Sequence, residues 1–283
     1  MKKLPLCISS LLLYAIIFTA CNRTPSSEEN KNWKLGVALY TFHTFSFPEA
    51  LAKADSAGVE YVEAFTFGKA GADLDDSLIL QLSPAGIDKL KQLIKASGLH
   101  MESIYIVGGK TVDAWKKEFD IAKQLNVKYV TAEPPPTLWD SLDSLAGVYG
   151  IKLAIHNHWK GTSAYWHPDS VLAALKNHPN FGACPDVGHW PKSGIDPVEG
   201  IKNLAGHIIA LHLRDIAEAN NPKLKDVPFG TGIVNFPEIF SELKRQKFTG
   251  YIMIERDQET PPSNVPSVIQ TVKYCEEQVA KLE

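Results

Sequence analysis

The sequence predicts an α/β chain folded as a (β/α)8 TIM barrel, and three observations carry that prediction. Short apolar runs alternate with longer amphipathic ones from about residue 33 to the end. The short runs number eight, spread over roughly 250 residues, the usual size of this fold. Finally, Gly58, Gly98, Gly150 and Gly250 each fall between a helix-like segment and the next strand-like one, where a left-handed C-cap is wanted. A doubly wound open sheet satisfies the same alternation, because closure is not written in a linear pattern.

Taken in order, the chain begins with a targeting segment over residues 1–20. Met1-Lys2-Lys3 supplies the positive start, Leu4 to Phe18 the apolar run, and Thr19-Ala20 the small residues before Cys21. The run is short for a membrane span. Phe18-Thr19-Ala20-Cys21 resembles a bacterial lipobox, which makes Cys21 the lipidated first residue of the mature chain; an ordinary cleaved signal peptide is the alternative. Residues 21–32, with Ser26-Ser27-Glu28-Glu29, read as a polar tether. The expectation is an exported protein anchored by lipid at Cys21 in the bacterial cell envelope, on the periplasmic face or the cell surface. Membrane contact is expected only through that anchor.

The barrel then occupies residues 33–283. Strands are expected at the short apolar runs Leu35–Phe42, Val59–Phe65, Leu99–Val107, Tyr129–Glu133, Lys152–His158, Phe181–Asp186, Ile208–Asp215 and Tyr251–Asp257. Helices are expected at Pro48–Ala57, Pro84–Ser97, Val112–Leu125, Ser141–Tyr149, Pro168–Asn177, Pro197–Leu204 and Pro237–Gln246, several with proline in the first turn, where its missing N–H costs nothing. A terminal helical segment, Ser263–Leu282, completes the outer ring.

Composition excludes several classes. A net charge of -3, a pI near 6.3 and no basic block argue against nucleic acid as a partner. The four cysteines, at 7, 21, 184 and 275, contain no Cys-x-x-Cys pair, so neither a zinc ribbon nor a disulfide framework is supported.

Side-chain alternation locates the chemistry. Ile209, Leu211 and Leu213 are expected to face the helices, with Ala210, His212 and Arg214 inside the barrel; likewise Ala154, His156 and His158 face in, as do Met253 and Glu255. Polar inward positions gather at C-terminal strand ends, the mouth of this fold. Glu133, His156, His158, Asp186, His189, His212 and Glu255 therefore converge on one rim. Carboxylates and imidazoles without thiolate suit Mn2+, Zn2+, Co2+ or Mg2+, so one divalent ion is expected there. Each residue alone has a plainer reading as a hydrogen-bonded strand end. Their coincidence on one face favours the ion.

The motifs Asp186-Val187-Gly188-His189, Leu211-His212-Leu213-Arg214-Asp215, Pro228-Phe229-Gly230-Thr231-Gly232 and Ile254-Glu255 give the chain a resemblance to the xylose isomerase-like TIM barrels. That superfamily contains sugar isomerases, epimerases and apurinic endonucleases. The resemblance implies a metal held by Asp186, His212, Glu255 and a carboxylate at the fifth strand end. Ile155-His156-Asn157-His158 stands where that carboxylate belongs. Either His156 replaces it or Glu133, one strand earlier, supplies it; Glu133 is preferred here.

The resemblance further implies removal of a C–H proton beside a carbonyl through an ene-diolate, with the ion stabilising developing charge. His158 is the first candidate base, with Glu133 or Glu255 if burial raises its pKa, and His189 in acid/base or hydroxyl-binding work. His156, Trp190 and Arg214 are candidate substrate contacts, and Trp159 and Trp166 offer sugar-stacking faces. An exported protein meets few sugar phosphates, so a small non-phosphorylated sugar or glycoside is expected as substrate. A 3-keto-glycoside lyase shares the same first step, and a non-catalytic carbohydrate-binding lipoprotein is the third reading. The related endonucleases use histidines from early strands, where this chain offers Tyr40, Glu63 and Tyr105.

Overall fold

A computed structural model describes residues 33–258 and 260–282. The signal segment, the lipobox and the tether lie outside the described residues. Eight parallel strands form the sheet: β1 (Lys34–Ala38), β2 (Tyr61–Phe65), β3 (His100–Tyr105), β4 (Tyr129–Ala132), β5 (Lys152–His156), β6 (Phe181–Cys184), β7 (Ala210–Leu213) and β8 (Tyr251–Ile254). They alternate with α1 (Phe47–Ser56), α2 (Pro84–Ser97), α3 (Val112–Leu125), α4 (Trp139–Tyr149), α5 (Pro168–Leu175), α6 (Pro197–Asn203), α7 (Phe236–Arg245) and α8 (Val265–Ala280). The order β6-β5-β4-β3-β2-β1-β8-β7 brings β1 against β8, and parallel bridges Ala183–Ile208 and Asp186–His212 join the two ends. Closure thus favours the barrel over the open sheet.

The seam between β6 and β7 is paired below and above but not through its middle. Ala183 N donates to His207 O at 2.9 Å and Ile209 N to Ala183 O at 2.8 Å; above, His212 N donates to Pro185 O at 2.9 Å and Val187 N to His212 O at 3.1 Å. Pro185 has no N–H to offer, which interrupts the ladder there.

Helix ends follow the expected chemistry. Ser83 caps α2 by accepting from Gly86 N at 3.3 Å, and Gly98 (φ 72°) ends it in the left-handed conformation. Gly250 departs from the expectation. The left-handed residue before β8 is Lys247 (φ 55°), and Gly250 is small for another reason: a Cβ there meets Ile209 O at 2.1 Å.

Outward residues such as Val62, Ile104, Leu153, Ile155, Leu211 and Ile254 join the large core beneath the helices. The barrel interior is a separate layer that sets Ala38, Ala154, Cys184 and Ala210 among Tyr129, Tyr251 and Met253. Ile209 corrects the alternation reading: it packs against the interior layer, its Cδ1 2.3 Å from where a Gly182 Cβ would stand. β7 begins only at Ala210, so Ile209 is not bound by the strand's period.

Several expected strands ran into the site residues, whereas the ladders stop short of them. β4, β6, β7 and β8 end before Glu133, Asp186, Arg214 and Glu255 respectively. At this rim the backbone leaves the sheet, and side-chain bonds take over from the ladder.

Candidate metal centre and cavity at the barrel mouth

Above the interior apolar layer the barrel becomes polar. His156 ends β5, His212 lies on β7, and Asp186 and Glu255 follow β6 and β8. One ligand atom from each of these four buried residues falls within 4.8 Å of all the others. The structure gathers His156, rather than the preferred Glu133, with Asp186, His212 and Glu255. Glu133 follows the last residue of β4 and precedes three prolines. There its carboxylate turns toward His158 Nδ1 and the Ser163 hydroxyl, with His156 Nδ1 at 3.8 Å. It forms a second possible group with His156 and His158.

Local backbone explains why Asp186 is so fixed. Its Oδ1 accepts from Gly188 N at 2.9 Å and His189 N at 3.1 Å, and Oδ2 accepts from Arg214 Nε at 3.0 Å. Asn157 clasps the same backbone, accepting from Asp186 N at 2.9 Å and donating to its carbonyl at 3.1 Å. Gly188 is required because a Cβ there meets Arg214 Cβ at 2.7 Å.

Arg214 is 2% exposed and sits among carboxylates. Besides Asp186 it donates from Nη2 to Glu255 Oε1 at 2.5 Å and from Nη1 to Asp226 Oδ2 at 3.3 Å, and Nη1 also pairs with Asp257. His212 is flanked on both ring nitrogens, with Nδ1 2.6 Å from Glu255 Oε2 and Nε2 2.8 Å from Glu63 Oε1. Thr131 donates to the other oxygen of Glu63 at 2.6 Å.

Electrostatics follow these contacts. Burial acts to raise the Glu133 carboxyl, but its interactions with His156 and His158 outweigh burial and hold it at about 2. Burial likewise acts against ionised Glu255, and Arg214 with His212 outweighs it, leaving a strongly depressed pKa. For both glutamates the neighbouring cationic groups outweigh burial, so neither carboxyl is raised. Burial, then the Arg214 and His158 charges, push His189 well below the ordinary imidazole value. For His212, burial opposes the charged form, yet Cys184, Glu63 and Glu255 raise it well above. Burial lowers His156.

The donor set fits a divalent ion. Both ring nitrogens of His156 are buried without a hydrogen-bond partner, a costly state for polar atoms unless something else engages them. Two imidazoles and two carboxylates form a borderline-to-hard donor set. Glu63 stands behind His212 as outer partners do behind metal-ligating histidines.

A cavity of about 320 Å³ opens above the centre. His156, His158, His212, Glu63, Glu255, Arg214 and Asp257 form its polar part, and Tyr40, Phe65, Phe67, Tyr105, Val107 and Trp159 its aromatic and apolar part. Trp190, expected to touch substrate, does not line it: the ring is fully buried over Gly200, where a Cβ would come within 2.5 Å. Trp166 also stands apart from the lining, with the Lys160 ammonium 4.9 Å from its ring. His189 lies behind the wall, its ring stacked on His158 at 4.7 Å and edge-on to Trp159 at 5.2 Å. Sequence reasoning assigned no role to Glu63, Thr131, Ser163, Asp226 or Asp257. For Glu63 the inward register of Tyr61, Glu63 and Phe65 was an available signal; for loop residue Asp226 none was.

Fold and rim together define a (β/α)8 barrel whose C-terminal strand ends carry a buried His/Asp/Glu group that could hold a metal ion. The chain belongs to the xylose isomerase-like TIM barrel family, whose model matches residues 51–276. An uncharacterised protein from Parabacteroides distasonis superposes with a TM-score of 0.69 at 33% identity, covering 89% of this chain and 100% of that one. The IolI protein with a bound zinc atom gives a TM-score of 0.73 at 19% identity over 88% of this chain and 99% of its own. Among curated proteins, the L-ribulose-5-phosphate 3-epimerase UlaE of Shigella flexneri is 30% identical over 105 residues, 37% of this chain and 36% of its own. The aligned part of the chain thus spans little more than a third of that relative's length.

Proposed function

We propose that this chain is a divalent-metal-dependent sugar isomerase or epimerase acting on a non-phosphorylated sugar or glycoside. The convergence of His156, Asp186, His212 and Glu255, with the His156 ring nitrogens unpartnered, carries the reading. Similarity to a protein named as a ribulose-5-phosphate 3-epimerase supports the reaction class. An ion held by these four residues would supply stabilisation of the negative charge that develops when a proton leaves carbon beside a carbonyl.

The chain's own residues supply the rest. An ionised Glu133 can only accept, so the ring proton of His158 sits on Nδ1, bonded to Glu133. That leaves the Nε2 lone pair of His158 to take a substrate proton. Ser163, bonded to the other oxygen of Glu133, holds the pair in place. Glu63 and Thr131 orient His212.

Charge supports the substrate class. Arg214 is the one Lys or Arg side chain among the described residues lining the cavity, and four carboxylates already occupy it. Among the described residues of that lining, a phosphate group meets no unpaired Lys or Arg. Export and lipidation at Cys21 belong to the same reading, since free sugars and glycosides are what the envelope offers. A 3-keto-glycoside lyase is the second reading; the apolar outer cavity, suited to a departing aglycone, favours it.

Elemental analysis of the purified protein tests the proposal. About one equivalent of metal in wild type, lost in Asp186→Ala and His212→Ala, is expected, together with exchange of a substrate C–H proton with solvent deuterium. Wild-type protein that takes up no divalent ion overturns the enzyme reading in favour of a carbohydrate-binding protein.

A further inference from the structure

The aromatic rings at the mouth take no part in the metal centre, yet they are arranged as one strip. Tyr40, Phe65, Phe67 and Tyr105 come from the C-terminal ends of the neighbouring strands β1, β2 and β3 and the residues just after them. Phe65 and Phe67 have centroids 4.8 Å apart, Tyr40 lies edge-on to Phe65 at 5.5 Å, and Phe67 meets Tyr105 at 6.2 Å and 90°. Tyr105 is in turn edge-on to His156 at 5.5 Å. The strip therefore runs without a break from solvent to a metal-donor side chain. Its outer end is exposed: Phe67 is 37% and Val107 51% accessible, two of the five large apolar side chains so exposed among the described residues.

We infer that this strip is a subsite for an aromatic aglycone, making the substrate an aryl glycoside whose sugar ring lies over the polar floor. The inference rests on the carbohydrate reading above and adds what the sugar is attached to. Three observations select this occupant. The cavity, about 320 Å³, falls at the lower end of the range that encloses ligands of more than one small ring, roughly 300–1,000 Å³. No unpaired Lys or Arg lines it, which disfavours a phosphate or other anion at the outer end. Phe65, Phe67 and Val107 present no hydrogen-bonding group, so the hydroxyls of a second sugar would lose water without replacement. A flat aromatic group loses nothing of that kind and gains edge-to-face contacts with Phe67 and Tyr105.

The wall that carries the strip is itself fixed from behind. Glu118 of α3, 1% exposed, accepts from the Thr66 hydroxyl at 2.5 Å, from Gly108 N at 2.6 Å and from Val107 N at 3.3 Å. One buried carboxylate thus joins the segments bearing Phe67 and Val107, and the two sides of the subsite keep their separation when nothing is bound.

The test compares methyl, phenyl and glucosyl β-D-glucosides by calorimetry on the metal-loaded full-length protein and on Phe67→Ala, whose exposed side chain can be trimmed without opening the core. The phenyl glycoside is expected to bind wild type about tenfold more tightly than the methyl glycoside. Phe67→Ala should reduce that gain to about threefold or less, and Phe67→Trp should restore it. Equal affinity for methyl and phenyl glycosides, or a disaccharide binding as tightly as the phenyl glycoside, overturns the subsite and leaves the carbohydrate reading standing. Binding of none of the three overturns both.

Discussion

Replacing Arg214 with methionine removes one cation from among four carboxylates while keeping the volume of the stem. In the structure, Asp186, Asp226, Glu255 and Asp257 all pair with this guanidinium, and both the arginine and Asp186 are almost wholly inaccessible. Breaking a buried pair by deleting one partner costs about 3–5 kcal/mol, since the remaining charge stays buried without compensation. For a domain of this size that is a fall in melting temperature of roughly 6–20 °C. Arg214→Lys keeps the charge, but an ammonium on a thin stem cannot span the four acids; a loss of about 1–3 kcal/mol is expected. The sign with pH is fixed by Glu255, whose folded pKa Arg214 and His212 depress against the opposing effect of burial. Stability from a depressed carboxylate is present above its unfolded value and lost as pH falls. The gap between wild type and Arg214→Met should therefore be full at pH 7 and shrink progressively below about pH 4.5. Denaturant unfolding followed by tryptophan fluorescence at pH 7 and pH 4 measures both. A methionine variant within about 1 kcal/mol of wild type at pH 7, or a gap that does not shrink in acid, would refute the reasoning.

Three other outcomes are expected. Glu63→Ala should weaken zinc affinity by about 10- to 100-fold by calorimetry while Glu63→Gln, which can still accept from His212, loses less; equal affinities would show that Glu63 does not act through His212. Glu133 is held at about 2, well below the ordinary glutamate value, so pairing contributes at most about 3 kcal/mol above about pH 4.5 and loses it as pH falls toward 2. Acid-unfolding curves of wild type and Glu133→Gln should accordingly converge over that interval. Gly232→Ala places a Cβ 2.2 Å from both Asp215 Oδ1 and Ile216 O, where Asp215 also accepts from Gly230 N and Gly232 N at 2.9 Å. Displacement of the 228–234 loop, read as faster amide exchange there and a stability loss of about 2 kcal/mol or more, is expected.

The barrel was legible in sequence because its signals are local. Val112–Leu125 and Pro84–Ser97 have the boundaries that periodicity and caps imply. The inward register of His156, His212 and Glu255 followed from strand alternation. What local pattern does not encode is reach across the mouth. Glu63 and His212 sit on β2 and β7, far apart in sequence, and their 2.8 Å contact exists only once the ring is closed. Trp190 shows the converse: an aromatic residue beside Asp186 looks like a rim residue in sequence, but the turn at Gly188 swings it down onto Gly200. Nor does sequence reveal whether a buried acid has its pKa raised by burial or lowered by partners; here the partners win at both Glu133 and Glu255.

The interrupted ladder between β6 and β7 gives the centre a mechanical side. Asp186 and His212 are bridge partners across a joint where the hoop is not continuously stitched. A cation shared by the two would act as a rivet through that joint, linking occupancy of the mouth to integrity of the ring. Ligation would then be expected to slow exchange of the amides that flank the joint, Val187 and His212 among them.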